Sequence, residues 1–353
     1  MGEEGSCPED CAVQSMKGEL VKPAERNPNK WSYARCNDGT PFAFKLEKPI
    51  LPNSEVQDKW VIYLEGGGMC DDFSIFCYNR GGRLITTLPG NDGDRFATLN
   101  KNGIFENDKT INPEFYNAKK IFAHYCSSDV WTGSSKELKD TSAGKWYFSG
   151  RLNIKAMLEI LEEQYGLSNS SEILFIGSSA GGMGVMQNSD QLKKMFPKSN
   201  IKFVADGSFV TNFSDQIYTA GRSGETFKKV LINNYYFWES SLNSDCEREM
   251  LNQGKEPGLC FMGKIIVQYI LKDNVYSTDN TIKDLRTASF LLQTSSIDKW
   301  CLNYHGVEDP KRDEKVIEKW RNQILEELNE LNINWLFSGG NKFYHTLSKS
   351  DKM

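Results

Sequence analysis

The stretch Ile173-Leu-Phe-Ile-Gly-Ser-Ser-Ala-Gly-Gly182 constrains this chain more than any other. Four consecutive apolar residues, Ile173 to Ile176, predict a buried strand, and a helix is expected to begin at about Ala180. Between them Gly177-Ser178-Ser179-Ala180-Gly181 spells G-x-S-x-G on a sharp strand-to-helix turn. Such a turn strains the backbone of its central residue, so the positions two before and two after it must be small. The central hydroxyl is then lifted clear of the sheet, and the N-terminus of the helix favours negative charge that develops beside it. The spacing selects Ser179 as the nucleophile, with Ser178 its adjacent competitor.

The rest of the pattern fits a chain that alternates strands and helices. Trp60 to Leu64 and Lys120 to His124 read as buried strands, as do Ile201 to Ala205 and Ile265 to Leu271. Residues 151–165, stopped by Gly166, have helical spacing. Asp279 to Leu292 and Lys311 to Leu331 read as helices, the second carrying an apolar stripe through Val316, Ile317, Trp320, Ile324, Leu325 and Leu328. Alternation of this kind predicts an α/β architecture, a mostly parallel sheet with helices on both faces. Residues 1–30 lack periodicity and read as a polar arm. Residues 31–353 then form a single domain, with lid-like insertions at about 70–118 and 207–262.

Composition narrows the function by exclusion. The net charge is −5, and the 42 Lys and Arg residues are spread rather than blocked, which is unlike the footprint of a nucleic-acid binder. No apolar run approaches the ~20 residues of a membrane-spanning helix. The amino terminus has no apolar core of a secretory signal. The 9 cysteines lack zinc-site spacing, and only 3 histidines accompany them, so disulfides in an oxidising compartment are expected instead of a metal. Cys7/Cys11, Cys70/Cys77 and Cys246/Cys260 are close in sequence, and an odd total leaves at least one thiol unpaired. The sequons at Asn169 and Asn212 permit glycosylation.

A second glycine-rich segment completes the chemical reading. Leu64-Glu-Gly-Gly-Gly-Met-Cys70 follows an early strand and lets backbone amides turn inward without obstruction by a Cβ atom. No Lys-Ser or Lys-Thr follows closely, as a phosphate loop would require. With the serine turn it predicts an α/β-hydrolase-type fold, in which such a loop and the amide of Ala180 bind an oxyanion. A serine nucleophile needs a base, and in this fold the chain order is Ser, acid, His. That order removes His124 and leaves His305 and His345; position favours His305, since His345 lies near the carboxyl terminus. For the acid, Asp273 follows the run expected as a strand, with Asp279 and Asp284 as alternatives.

These motifs together resemble the pectin acetylesterase/Notum family of serine carboxylesterases. The resemblance runs through Cys36-Asn-Asp-Gly-Thr-Pro41, Trp60 to Cys70, the unusual string Tyr125-Cys-Ser-Ser-Asp-Val-Trp-Thr-Gly133, Gly177 to Gly182, Ala205-Asp-Gly207 and the Cys301/His305 segment. It implies a triad of Ser179, Asp273 and His305, and an oxyanion hole from the amides of Gly67, Gly68 and Ala180. It also implies disulfides Cys36–Cys126, Cys70–Cys77 and Cys246–Cys260, secretion, no cofactor, and an acylated polysaccharide or acylated protein as substrate. The sequence departs from the family at Lys272, where an aromatic is usual, and at Met69, near the place of a large aromatic after the glycines. The aromatic stretch Asn234 to Trp238 either lines an acyl pocket or is core packing.

Overall fold

A computed structural model describes residues 18–49, 58–70, 77, 80–88, 103–211, 226–272, 290–295, 314–331 and 335–338. Its strands are β1 (Glu19–Val21), β2 (Phe44–Glu47), β3 (Lys59–Leu64), β4 (Lys119–Ala123), β5 (Lys139–Thr141), β6 (Gly144–Trp146), β7 (Glu172–Ser178), β8 (Ile201–Asp206), β9 (Phe290–Ser295) and β10 (Trp335–Ser338). The helices are α1 (Pro23–Arg26), α2 (Pro28–Trp31), α3 (Gly150–Tyr165), α4 (Ala180–Met195), α5 (Phe227–Phe237), α6 (Ser244–Asn252), α7 (Gly263–Lys272) and α8 (Glu314–Leu331). Strands β5 and β6 form a separate hairpin. The other eight make one sheet in the order β1-β2-β4-β3-β7-β8-β9-β10.

That sheet is antiparallel only at its β1 and β2 edge and parallel from β4 onward. Its central strands are apolar throughout because both faces are covered. Trp60, Ile62 and Leu64 of β3 join the main core, whereas Val61 and Tyr63 join a smaller one with Phe105, Phe122, Leu174 and Ile176. After β3 the chain turns to one side to make β4, then crosses β3 to make β7. The strand order therefore reverses between β3 and β7. Ligands of open α/β sheets bind outside the carboxyl ends of the strands at such a reversal. Here Leu64 pairs with Gly177, so the glycine loop and the serine turn leave the sheet side by side.

Three expectations need correction. The run at 265–271 is not a strand but lies within helix α7. Ile266, Val267 and Ile270 are buried while Gln268 is exposed, a helical pattern that a short apolar run does not reveal by itself. The helix expected from Asp279 to Leu292 is overturned at its end, where Phe290–Ser295 is strand β9, parallel to β8 and β10; residues 279–289 lie outside the described residues. Within the polar arm expected over residues 1–30, Glu19–Val21 is strand β1, which extends the sheet, and Val21 is fully buried. Strand β10 was not expected from the sequence at all.

All three disulfides implied by the family resemblance are present: Cys36–Cys126, Cys70–Cys77 and Cys246–Cys260. No helix among the described residues is long and apolar enough to cross a membrane. Cys36–Cys126 closes the longest loop, with a sequence separation of 90. Replacing both of its cysteines by alanine is expected to lower the unfolding free energy by about 4 kcal/mol, read from urea denaturation. A loss under about 1 kcal/mol would mean that the cross-link contributes nothing in solution.

Candidate active site

Ser179 sits between β7 and α4 with φ 56° and ψ −123°, a conformation that costs a non-glycine residue on the order of 1–3 kcal/mol. The surroundings over-determine it. Its amide donates to the Asp206 carbonyl at 2.7 Å. A Cβ atom at Gly181 would lie 2.1 Å from the Leu64 carbonyl oxygen, and one at Gly66 would lie 2.9 Å from the Ser179 Cβ. The glycine loop is thus packed directly on the serine turn. Ser178, the competitor in the sequence, is removed: its hydroxyl is buried and hydrogen-bonded to the Tyr63 hydroxyl in the smaller core.

The carbonyls of the glycine loop are held by donors from several segments. The Glu65 carbonyl accepts from the Trp131 indole at 2.9 Å, that of Gly67 from Arg80 Nη1 at 2.7 Å, and that of Gly68 from the Tyr125 hydroxyl at 2.8 Å. The Cys70 carbonyl accepts from the Trp238 indole at 2.7 Å, and the Cys70 amide donates to Ser128 at 2.8 Å. The amides of Gly67 and Gly68 donate to no described residue, and neither does that of Ala180 in the first turn of α4. Met69 is buried, its sulfur 3.9 Å from Asn234 Nδ2. Asn234 and Trp238 are core residues, so these members of the aromatic stretch serve packing.

Behind the loop lies Tyr125 to Gly133, where Ser128, Val130 and Trp131 all have positive φ (58°, 48° and 64°). Asp129, fully buried, holds this run together. Its Oδ1 accepts from the Ser127 hydroxyl at 2.6 Å and the Trp131 amide at 3.1 Å, and its Oδ2 from the Gly150 amide at 2.7 Å. Burial pushes its carboxyl up to about 6, against the hydrogen bonds from Ser127, Gly150, Trp131 and its own amide that favour the ionised form. His124 is also buried; its Nδ1 lies 3.2 Å from Glu65 Oε2 and its Nε2 3.2 Å from the Thr86 carbonyl, so it buttresses the loop from outside the site.

The comparisons with known proteins agree with this geometry. A family model described as Pectinacetylesterase matches residues 14–350. The chain belongs to the pectinacetylesterase family. Among its curated relatives, the palmitoleoyl-protein carboxylesterase NOTUM of Drosophila melanogaster is 30% identical over 65% of this chain and 33% of its own length. The human protein of that name is 28% identical over 69% of this chain and 50% of its own. Pectin acetylesterase 4 of Arabidopsis thaliana is 24% identical over 90% of this chain and 74% of its own. The chain therefore spans a third to a half of the NOTUM proteins it matches. The solved structure of the Wnt deacylase Notum from Drosophila superposes with a TM-score of 0.71 at 22% identity, covering 94% of this chain and 87% of that one. The fold is that of an α/β-hydrolase.

Of the site residues anticipated in the sequence, Ser179, Ala180, Gly67 and Gly68 come together at the carboxyl ends of β7 and β3. Asp273, His305 and His345 lie outside the described residues, as do Asp279 and Asp284. The reason for choosing Asp273 has gone, because the segment before it is helix α7 and not a strand. Sequence reasoning also missed Arg80, Asp129 and Trp131 as the supports of the loop. The unusual Tyr125 to Gly133 string was the signal for Asp129 and Trp131, but it served only to mark the family; Arg80 lies outside it. Among the described residues, no cluster of His, Cys, Asp or Glu could hold a metal ion.

The buried carboxyl yields a pH prediction. A folded-state pKa raised from 3.8 to about 6 means that Asp129 takes up a proton more readily in the fold, so its contribution to stability is greatest at low pH and falls as pH rises from about 4 to about 6. Asp129→Asn is expected to be less stable than wild type and to lack that downward slope in urea midpoints measured across the window. Parallel curves for the two proteins would show that another group titrates there.

Proposed function

We propose that this pectinacetylesterase-family chain is a serine carboxylesterase that deacetylates a polysaccharide, with Ser179 as its nucleophile. The observation that carries this reading is the strained backbone of Ser179, held at the sheet's reversal with Gly66 packed against it and, on either side, amides that donate to no described residue. An imidazole takes the Ser179 proton while Oγ bonds to the ester carbonyl carbon. The carbonyl oxygen becomes an oxyanion accepted by the amides of Gly67, Gly68 and Ala180, each such donor being worth about 3 kcal/mol. The leaving alcohol recovers the proton from the imidazolium, and water releases the acyl group by the reverse sequence. Three disulfides favour action in an oxidising, extracellular compartment.

For the acid and base, the sheet order favours a revision of Asp273 and His305. Reactive groups in this class of sheet follow the carboxyl ends of strands. Beyond β8 the next parallel strands are β9 and β10, and the chain order Ser, acid, His is kept by Asp298, three positions after Ser295, and His345, seven after Ser338. Single substitutions Asp298→Asn and His345→Ala are expected to lower kcat by about 10⁴-fold, and Asp273→Asn and His305→Ala by less than tenfold. The opposite ranking would restore the pair read from the sequence.

A second reading is favoured by the similarity to palmitoleoyl-protein carboxylesterases: removal of a fatty acyl group from a protein serine. Hydrolysis of p-nitrophenyl acetate, butyrate and octanoate by wild type and Ser179→Ala separates the two. Preference for acetate, abolished in the variant, supports the acetylesterase; preference for octanoate supports the lipid deacylase. No hydrolysis of any ester by the wild type would leave a binding module on the same fold.

A further inference from the structure

We propose that Arg80 is a positioning residue for the oxyanion loop, acting through the peptide that joins Gly67 to Gly68. This rests on the reading of the Gly67 and Gly68 amides as oxyanion donors. A peptide unit is planar and trans, so its carbonyl and its N–H point in opposite directions. The Gly67 carbonyl and the Gly68 N–H belong to one such unit. Anchoring the carbonyl on Arg80 Nη1 at 2.7 Å therefore aims the Gly68 N–H away from Arg80, where it meets no described acceptor.

A peptide between two glycines needs such an anchor. Neither residue has a side chain to fix the plane, and Gly68 already has a φ of 72°. The bond from Arg80 is charge-assisted, so it is stronger than a neutral one, and it polarises the peptide in the sense that strengthens the N–H at its other end. Catalysis depends on donors that are already aimed when charge develops, because reorientation during the reaction raises the barrier.

Arg80 is itself held at several points. Its Nε donates to the Ser128 hydroxyl at 2.6 Å, and that hydroxyl donates to Asn37 Oδ1 at 2.6 Å. The guanidinium carbon lies 5.7 Å from the centroid of the Tyr125 ring. The Arg80 amide donates to the carbonyl of Cys77, which is tied by its disulfide to Cys70 at the end of the glycine loop. Ser128 belongs to the positive-φ run that Asp129 holds, so the buried carboxyl sets the platform, the platform seats the guanidinium, and the guanidinium sets the peptide.

The test compares wild type, Arg80→Lys, Arg80→Gln, Ser128→Ala and Ser179→Ala. Trp31→Phe serves as the control, since it removes an indole bond to Glu159 outside the site. Steady-state hydrolysis of the best p-nitrophenyl ester is read beside the affinity for an alkyl boronic acid, which adds to a serine oxygen as a tetrahedral mimic, and beside the urea midpoint. Arg80→Gln is expected to lose about 100-fold in kcat with KM within twofold, and to lose boronate affinity by a similar factor. Arg80→Lys, which keeps the charge but not the two-pronged geometry, recovers part of both, and Ser128→Ala shows the same pattern more weakly. Should Arg80→Gln fail to fold, Arg80→Lys and Ser128→Ala carry the comparison.

Unchanged kcat and boronate affinity in the Arg80 variants would overturn the proposal while leaving the oxyanion reading intact. A raised KM at constant kcat would also overturn it, by making Arg80 a substrate contact. A wild type that binds boronate no better than Ser179→Ala would instead remove the oxyanion reading on which the proposal stands.

Discussion

A residue with a side chain can hold φ 56° and ψ −123° only if everything near it yields space, and the site is organised around that demand at Ser179. Gly181 must lie within contact of the Leu64 carbonyl, and Gly66 must lie against the serine's own Cβ. These approaches put two strand ends in direct contact, β3 through its glycine loop and β7 through its turn. The parallel pairing of Leu64 with Gly177 makes both approaches possible, since it brings the two loops off the sheet at one level. Strain at one position thereby fixes the relation between the Ser179 hydroxyl and the amides beside it.

A loop made of glycines gains close approach and loses rigidity, so its order has to come from outside. Part of it comes from a second strained segment, Tyr125 to Gly133, from which the Trp131 indole and the Tyr125 hydroxyl donate to the carbonyls of Glu65 and Gly68. One buried carboxyl, accepting from Ser127, Trp131 and Gly150, holds that segment in shape. Gly133 and Gly150 leave room for it: a Cβ atom at either position would come within 2.2 Å of an Asp129 oxygen. The strained Tyr125 to Gly133 segment thus holds the glycine loop that packs against the strained serine turn.

The sequence made legible whatever depends on local pattern. Strand, turn and helix around Ser179 were readable because steric demand at the elbow leaves few residue types possible, and the apolar runs of β3 and β7 were readable because both faces of those strands are buried. It failed where tertiary context decides. Ile265 to Leu271 is rich in β-branched residues and still forms a helix, because Ile266, Val267 and Ile270 all pack inward from one side. The segment ending in β9 has helix-forming residues before it and a short apolar run that belongs to the sheet. Misreading those two elements removed the strand-end argument for Asp273, since the segment before it is helix α7. The supports of the glycine loop were hidden for a different reason: hydrogen bonds from Trp131, Tyr125 and Arg80 to backbone carbonyls leave no periodic trace in a sequence.

Donors that stabilise developing charge must already be aimed when the reaction begins, so small displacements are costly. The supports of the glycine loop meet that demand. The amides sit between the sheet's central strands, backed by Trp131, Trp238 and Tyr125, all fully buried, and by two disulfides at Cys70 and Cys126. The supports are themselves linked, since the Tyr125 hydroxyl accepts from the Val130 amide at 2.7 Å while donating to Gly68. One hydroxyl thus ties the strained run to the loop it supports, and displacing either segment would leave a buried backbone group without a partner. On the proposed reading of the site, this coupling keeps the donors of the glycine loop aimed before charge develops.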